Sequence, residues 1–410
     1  MWRSASPKSS SADFMLAQRV RRLAPSATLA VTARAEALRA QGIDVISFGA
    51  GEPDFDTPQR IKDAAIRALR AGKTKYTDAA GIPELRAAVS LALKRDRGLE
   101  YSPDQVLISV GGKHSLYNLC AVLFQAGDEV LIPSPYWVTY PEQIRLVEAT
   151  PVFVPTDEST GFEVDPDRIR RALTSRTRAL ILNSPNNPTG AVFGVESLKA
   201  LAALAVERDF WVISDECYAA LSYEGPAPSI ATLGPEIQAR TLVVNTCSKA
   251  YAMTGWRIGY AAGPRPIVKA MADFQSQCTS NPTSIAMWAA IEALTGPQDE
   301  VATMAQEFNR RRHAIVNGLN AIPGIRCVVP KGAFYAFPNV SDLFGHRWEG
   351  QPLKSSSDVA ACLLEAGRIA VVPGLDFGAD HHIRLSYATS LSSIEEGLER
   401  IRRVVASLEQ

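Results

Sequence analysis

A chain of 410 residues, 46% of them hydrophobic, has material for more than one core, and its 43 basic and 43 acidic residues cancel. A neutral chain presents no long-range field to nucleic acid or anionic lipid, and no apolar run reaches the ~18–20 residues that cross a bilayer, so small molecules are the expected partners. Cys120, Cys217, Cys247, Cys278, Cys327 and Cys362 are scattered, without a C-x-x-C pair or histidines at ligand spacing, which suits a reducing cytoplasm and indicates no metal.

Met1 to Ser11 is Ser-rich and carries Arg3 and Lys8 without an acid, a composition faintly like a transit peptide. We read residues 1–13 as a disordered tail. From about residue 57, helical patterns alternate with short apolar runs, the pattern of an α/β fold with a mostly parallel sheet. Thr57-Pro58 reads as an N-cap followed by proline at the first helical position. Ile61, Ala65 and Leu69 then repeat at helical spacing, and Gly72 supplies the stop. Strands are expected at Val106 to Val110, Glu129 to Ile132, Val152 to Val154, Ala179 to Leu182, Trp211 to Ile213 and Thr241 to Asn245. After about residue 305 the pattern changes. An Arg-rich helix around Arg310, Arg311 and Arg312 is followed by short strands near Phe334 to Phe337 and His382 to Ser386, which predicts a second, smaller domain joined by the N-terminal segment.

Parallel sheets place ligands at the carboxyl ends of their strands. Gly111-Gly112-Lys113, Asn183 to Gly190, Asp215 and Ser248-Lys249 all fall there. A lysine amine attacks a carbonyl only when neutral, so it needs a setting that depresses its pKa, and an arginine fork can hold a phosphate through two hydrogen bonds. Lys249 and Arg257 have those residue types, although singly such residues are more often a solvated lysine and a salt-bridged arginine. Gly49-Ala50-Gly51 is not a dinucleotide fingerprint, because Asp54 stands where the third glycine or alanine belongs and Pro53 interrupts the turn. His381-His382 reads as an exposed strand start and not as a ligand pair.

The string Ser248-Lys249-Ala250-Tyr251-Ala252-Met253-Thr254-Gly255-Trp256-Arg257-Ile258-Gly259-Tyr260 resembles the lysine motif of fold-type I pyridoxal-phosphate enzymes, specifically class I aminotransferases and their bacterial aspartate aminotransferase branch. The resemblance extends through Ala24-Pro25-Ser26-Ala27-Thr28, Ala50-Gly51-Glu52-Pro53-Asp54-Phe55-Asp56-Thr57-Pro58, Lys75-Tyr76, Tyr136-Trp137, Asn183-Ser184-Pro185-Asn186-Asn187-Pro188-Thr189-Gly190, Ser214-Asp215-Glu216 and Arg384-Leu385-Ser386-Tyr387. It implies a large cofactor-binding domain over 57–305, with a small α/β domain formed by both chain ends, 14–56 plus 306–410.

The resemblance also implies roles. Lys249 would be the Schiff-base lysine and general base, and Asp215 would pair with the pyridine nitrogen of pyridoxal 5'-phosphate. Tyr218 and Asn187 would hydrogen-bond its phenolic oxygen, and Trp137 would stack on its ring. The backbone of Gly111, Gly112 and Lys113, with Thr246, Ser248 and Arg257, would hold the phosphate. Tyr76 would reach that phosphate from a neighbouring subunit, which implies a homodimer with shared active sites. Arg384 would clamp the substrate α-carboxylate, helped by Asn187 and the backbone of Gly51.

Lys113 is the clue to the side chain, since a lysine there faces the distal carboxylate in the similar aspartate enzymes. The expected reaction is ping-pong transamination from L-aspartate to 2-oxoglutarate. Alternatives within the fold are aromatic, prephenate or alanine transamination and a β-lyase. A ligand-sensing transcription regulator would need a DNA-binding module, for which the short N-terminal tail leaves no room.

Overall fold

The computed structural model describes residues 16–24 and 27–409. The expected tail and Pro25-Ser26 lie outside the described residues. In chain order the strands are β1 (Ile46–Ser47), β2 (Val106–Ser109), β3 (Glu129–Ser134), β4 (Thr150–Pro155), β5 (Thr177–Asn183), β6 (Trp211–Asp215), β7 (Thr241–Thr246), β8 (Gly259–Ala262) and β9 (Tyr335–Ala336). They continue with the hairpin β10 (Arg347–Trp348) and β11 (Gln351–Pro352), then β12 (Ile369–Ala370), β13 (Val372–Pro373) and β14 (Ile383–Ser386).

Alternation along the strands divides the apolar side chains between the two faces of the large sheet. Val106, Ile108 and Val243 pack under the helices Gln59–Arg70, Pro83–Arg97 and Ser284–Thr295. Their neighbours Leu107, Leu242 and Val244 face the opposite way, against Gly112–Leu123 and Arg265–Cys278. Leu180, Leu182 and Val212 join a third cluster with Val195–Arg208. The sheet order is β2-β8-β7-β6-β5-β3-β4, parallel except for β8, which runs antiparallel to both neighbours.

β8 was absent from the expected strands. Its sequence, Gly-Tyr-Ala-Ala, has none of the β-branched residues that mark strands, yet all four residues are buried. The helix expected after Thr57 forms as Gln59–Arg70, but Pro58 is its N-cap residue and makes no side-chain cap. Thr57 is engaged elsewhere: its Oγ1 donates to the Ala252 carbonyl at 2.7 Å and accepts from Trp256 Nε1 at 3.0 Å. Leu69, expected on the inner face, is 55% exposed.

The two chain ends share one core. Phe48 packs among Phe308, Phe334, Ile369 and Ile401, β1 pairs in parallel with β12, and the Phe48 carbonyl accepts from the Ser386 amide at 2.8 Å. A second small sheet has the order β13-β14-β9. In the long helix Asp299–Asn320, Arg311 turns inward, bonds Asp54 at 2.7 Å and lies 5.3 Å from the Phe55 ring centroid. That contact holds the loop after β1 against the rest of the protein. Among the described residues, no helix is long and apolar enough to cross a membrane.

Candidate active site

The carboxyl ends of β2, β5, β6 and β7, together with β9, β14 and the loop after β1, surround a cavity of about 430 Å³. At the end of β2, Gly111 adopts φ +86° and the helix Gly112–Leu123 begins. Side chains would not fit at this corner. A Cβ on Gly111 would lie 2.4 Å from Arg257 Nη2, and one on Gly259 would lie 2.2 Å from the Gly112 nitrogen. β8 can therefore press the Arg257 turn against the start of the helix. Arg257 itself has φ +57°, and its Nη1 donates to the Thr254 carbonyl at 2.7 Å.

At the end of β7, Thr246 Oγ1 accepts from the Ser248 amide at 3.1 Å and lies 2.8 Å from Ser248 Oγ, which holds both hydroxyls at the cavity wall. Lys249 follows, with Nζ donating to the Gly51 carbonyl. Desolvation pushes its pKa down to about 8, against the opposing pull of Cys217 and Glu52. An amine at that value is accessible in its neutral form near neutral pH, as attack on a carbonyl requires.

Asp215 ends β6 and is 4% exposed. Burial raises its pKa, and hydrogen bonds oppose the rise: Oδ2 accepts from Tyr140 Oη at 2.7 Å and Oδ1 from the Cys217 amide at 3.2 Å. Asn187 presents Oδ1 to Arg384 Nη1 at 3.0 Å, while its backbone N–H donates to Asn183 Oδ1 at 2.8 Å. Arg384, 1% exposed, also donates from Nη2 to the Gly49 carbonyl at 3.0 Å, and its buried Nε has no partner among the described residues. The Tyr335 and Phe377 rings lie 4.5 and 5.0 Å from the guanidinium.

Charge balance states what the cavity is built to receive. Lys113, Lys249, Arg257 and Arg384 line it, against the acids Glu52 and Asp215. None of the four cations forms an ion pair among the described residues, and Glu52 is held by Thr254 Oγ1 at 2.7 Å. A buried guanidinium without a carboxylate is costly, and an anionic ligand offsets that cost.

Residues 43–401 match the model of the family "Aminotransferase class I and II". The chain belongs to that family. It is 50% identical to an aspartate aminotransferase of Geobacillus stearothermophilus over 95% of this chain and 98% of the relative. It is likewise 50% identical to an aspartate/prephenate aminotransferase of Thermus thermophilus, over 95% of this chain and 98% of the relative. In structure it superposes on the aspartate aminotransferase from Thermus thermophilus with maleate at TM-score 0.90, with 48% identity, over 95% of this chain and 99% of that one. The fold is that of a fold type I aminotransferase, and the protein is an enzyme of transamination.

The aminotransferase cavity gathers Gly51, Gly112, Lys113, Trp137, Asn187, Asp215, Tyr218, Thr246, Ser248, Lys249, Arg257 and Arg384. Gly111 borders it through Arg257. Tyr76 is not brought in by its own chain: it is 91% exposed and outside the cavity. Tyr218 Oη meets Tyr335 Oη at 2.8 Å, a partner not expected from sequence. Tyr140 was also missed, because its bond to Asp215 joins positions 75 residues apart. His382 corrects the expectation of an exposed strand start. It is 7% exposed, stacks on Phe337 with centroids 4.8 Å apart, and places Nε2 3.3 Å from Glu158; His381 alone is exposed.

Proposed function

We propose that this aminotransferase uses pyridoxal 5'-phosphate to move the amino group of L-aspartate to 2-oxoglutarate. The observation that carries the reading is the set of four cations without ion-pair partners around the buried, doubly hydrogen-bonded Asp215. When bound, the cofactor supplies a carbonyl for the amino group and a pyridinium ring that receives the electron pair left as the Cα proton departs.

The chain's own residues do the rest. The amides of Gly111, Gly112 and Lys113, with Thr246, Ser248 and Arg257, hold the phosphate at the small-residue corner. Asp215 keeps a proton on the pyridine nitrogen, and Tyr218 and Asn187 bond the phenolic oxygen. Trp137 covers the ring and excludes water. Lys249 would hold the cofactor and, as general base, would take the proton from substrate Cα at Nζ. Arg384 grips the α-carboxylate with the Gly51 backbone nearby, and Lys113 faces the distal carboxylate.

Tyr76 would enter the phosphate site of a second copy, making the working unit a homodimer. The large domain would span 57–305 and the small one 14–56 plus 306–410.

A second acceptor, prephenate, is favoured by the name of the Thermus thermophilus relative and by a neighbouring cavity of about 730 Å³ that shares Lys113 and Arg257 with the first. The test is a steady-state panel with the protein saturated in pyridoxal phosphate: aspartate, alanine, phenylalanine and tyrosine as donors, 2-oxoglutarate and prephenate as acceptors. Aspartate with 2-oxoglutarate should give the highest kcat/KM. Failure to convert aspartate overturns the substrate assignment.

A further inference from the structure

Tyr335, on β9, has no role assigned so far. Its hydroxyl lies 2.8 Å from that of Tyr218, and the two residues are 0% and 4% exposed. Neither hydroxyl has a second hydrogen-bond partner among the described residues. Each carries one proton to donate, and one bond between them consumes only one, so the accepting hydroxyl keeps its own proton for a third group. Which tyrosine keeps it decides what the pair can do.

Geometry favours Tyr335 as donor. A cation over a phenol makes its O–H the stronger donor, and the Arg384 guanidinium lies 4.5 Å from the Tyr335 ring centroid whereas Lys249 Nζ lies 5.8 Å from that of Tyr218. Packing fixes both rings: Tyr218 meets Phe334 and Tyr335 edge to face at 5.5 and 5.7 Å, and Phe334 lies 4.8 Å from Tyr335. The pair therefore has little freedom except rotation of the two O–H bonds. Other ionisable groups around it are Arg384, Cys217, Asp215, Lys249 and Tyr140, on the elements that form the cavity.

We propose that Tyr335 is a positioning residue that donates to Tyr218 and so leaves the Tyr218 proton aimed at the phenolic oxygen of the bound cofactor. The inference rests on the cofactor reading above. A proton aimed at that oxygen favours the state in which the oxygen bears full negative charge. It therefore lowers the pH at which the visible absorption of the loaded protein changes.

The experiment is a pH titration of visible absorption after loading with pyridoxal phosphate, on the parent, Tyr335→Phe, Tyr218→Phe and the double variant. Tyr335→Phe removes one hydroxyl and keeps the ring that Arg384 lies against. The midpoint should rise by roughly half a pH unit to one unit, the size expected for one neutral hydrogen bond. In the Tyr218→Phe background the same change should move it no further. An unmoved midpoint in Tyr335→Phe overturns the proposal, and so does an equal shift in both backgrounds, since Tyr335 would then act without Tyr218. Absence of any visible band in the parent is a different failure, because it removes the cofactor reading itself.

Discussion

Tyr140 Oη donates to Asp215 Oδ2 at 2.7 Å, and neither side chain is more than 4% exposed. A buried carboxylate drifts toward its neutral form, and in the proposed role a neutral Asp215 could not hold a proton on the pyridine nitrogen. Tyr140→Phe keeps the ring and removes the donor. A hydrogen bond to a charged group contributes about 1.5–3 kcal/mol, so pyridoxal phosphate affinity should fall roughly ten- to a hundredfold, with kcat falling too. Equilibrium dialysis of the cofactor checks the first effect, and an unchanged Kd would show that Asp215 does not depend on Tyr140.

The lowered pKa of Lys249 sets a pH window. At pH 7 an amine with a pKa of about 8 is neutral roughly 300-fold more often than one at 10.5. Because the neutral form attacks, the rate of cofactor uptake should climb with pH and level off above about 8; stopped-flow absorbance measures it. Lys249→Ala should abolish both uptake through the lysine and turnover.

Lys113 tests the substrate. Its Nζ lies 4.9 Å from the Trp137 ring centroid and has no carboxylate partner among the described residues. Lys113→Gln should lower kcat/KM for aspartate roughly ten- to a hundredfold while leaving alanine nearly unchanged, as expected for loss of one charge-assisted contact. Equal losses for both donors would remove Lys113 from specificity.

Gly259 tests the phosphate corner. A Cβ there would meet the Gly112 nitrogen at 2.2 Å and the Gly111 carbonyl carbon at 2.3 Å, and backbone cannot swing aside as a side chain can. Gly259→Ala should cost about 1–3 kcal/mol of stability and weaken cofactor binding more than a remote change of equal stability cost. Melting temperature and cofactor Kd, measured together, separate the two effects.

His382 makes a prediction about acid. Burial lowers its pKa from 6.5, with Glu158 opposing. A histidine whose folded-state pKa is depressed contributes stability above the unfolded value, and that stability is lost as pH falls through the folded one. Between pH 8 and pH 5 the parent should lose more Tm than His382→Gln, which cannot titrate; parallel losses would show that Glu158 holds the histidine's proton affinity at its unfolded value.

What could be read from the sequence follows from where information is local. β5, β6 and β7 are buried on both faces, so their apolar runs stand out, and the residues at their carboxyl ends come with them. β8 carries no such signal because small residues suffice where it abuts the helix start. Tyr140 and Tyr335 were missed because each matters through one contact to a residue remote in the chain, Asp215 and Tyr218. The burial of His382 was equally invisible, since Phe337 and Glu158 create it. Thr57 has the residue type of a cap, but tertiary partners claim its hydroxyl.

The bond from Arg384 to the Gly49 carbonyl joins positions 335 residues apart. During synthesis the large sheet is complete once β8 has emerged, and Lys249 is by then in place beyond β7. The bond from Arg384 is not, because β14 comes almost last and must fold back onto a segment made at the start. A nascent chain can therefore build the Asp215 and Lys249 side of the cavity before the Arg384 side exists, and loss of the last few dozen residues would leave the former without the latter.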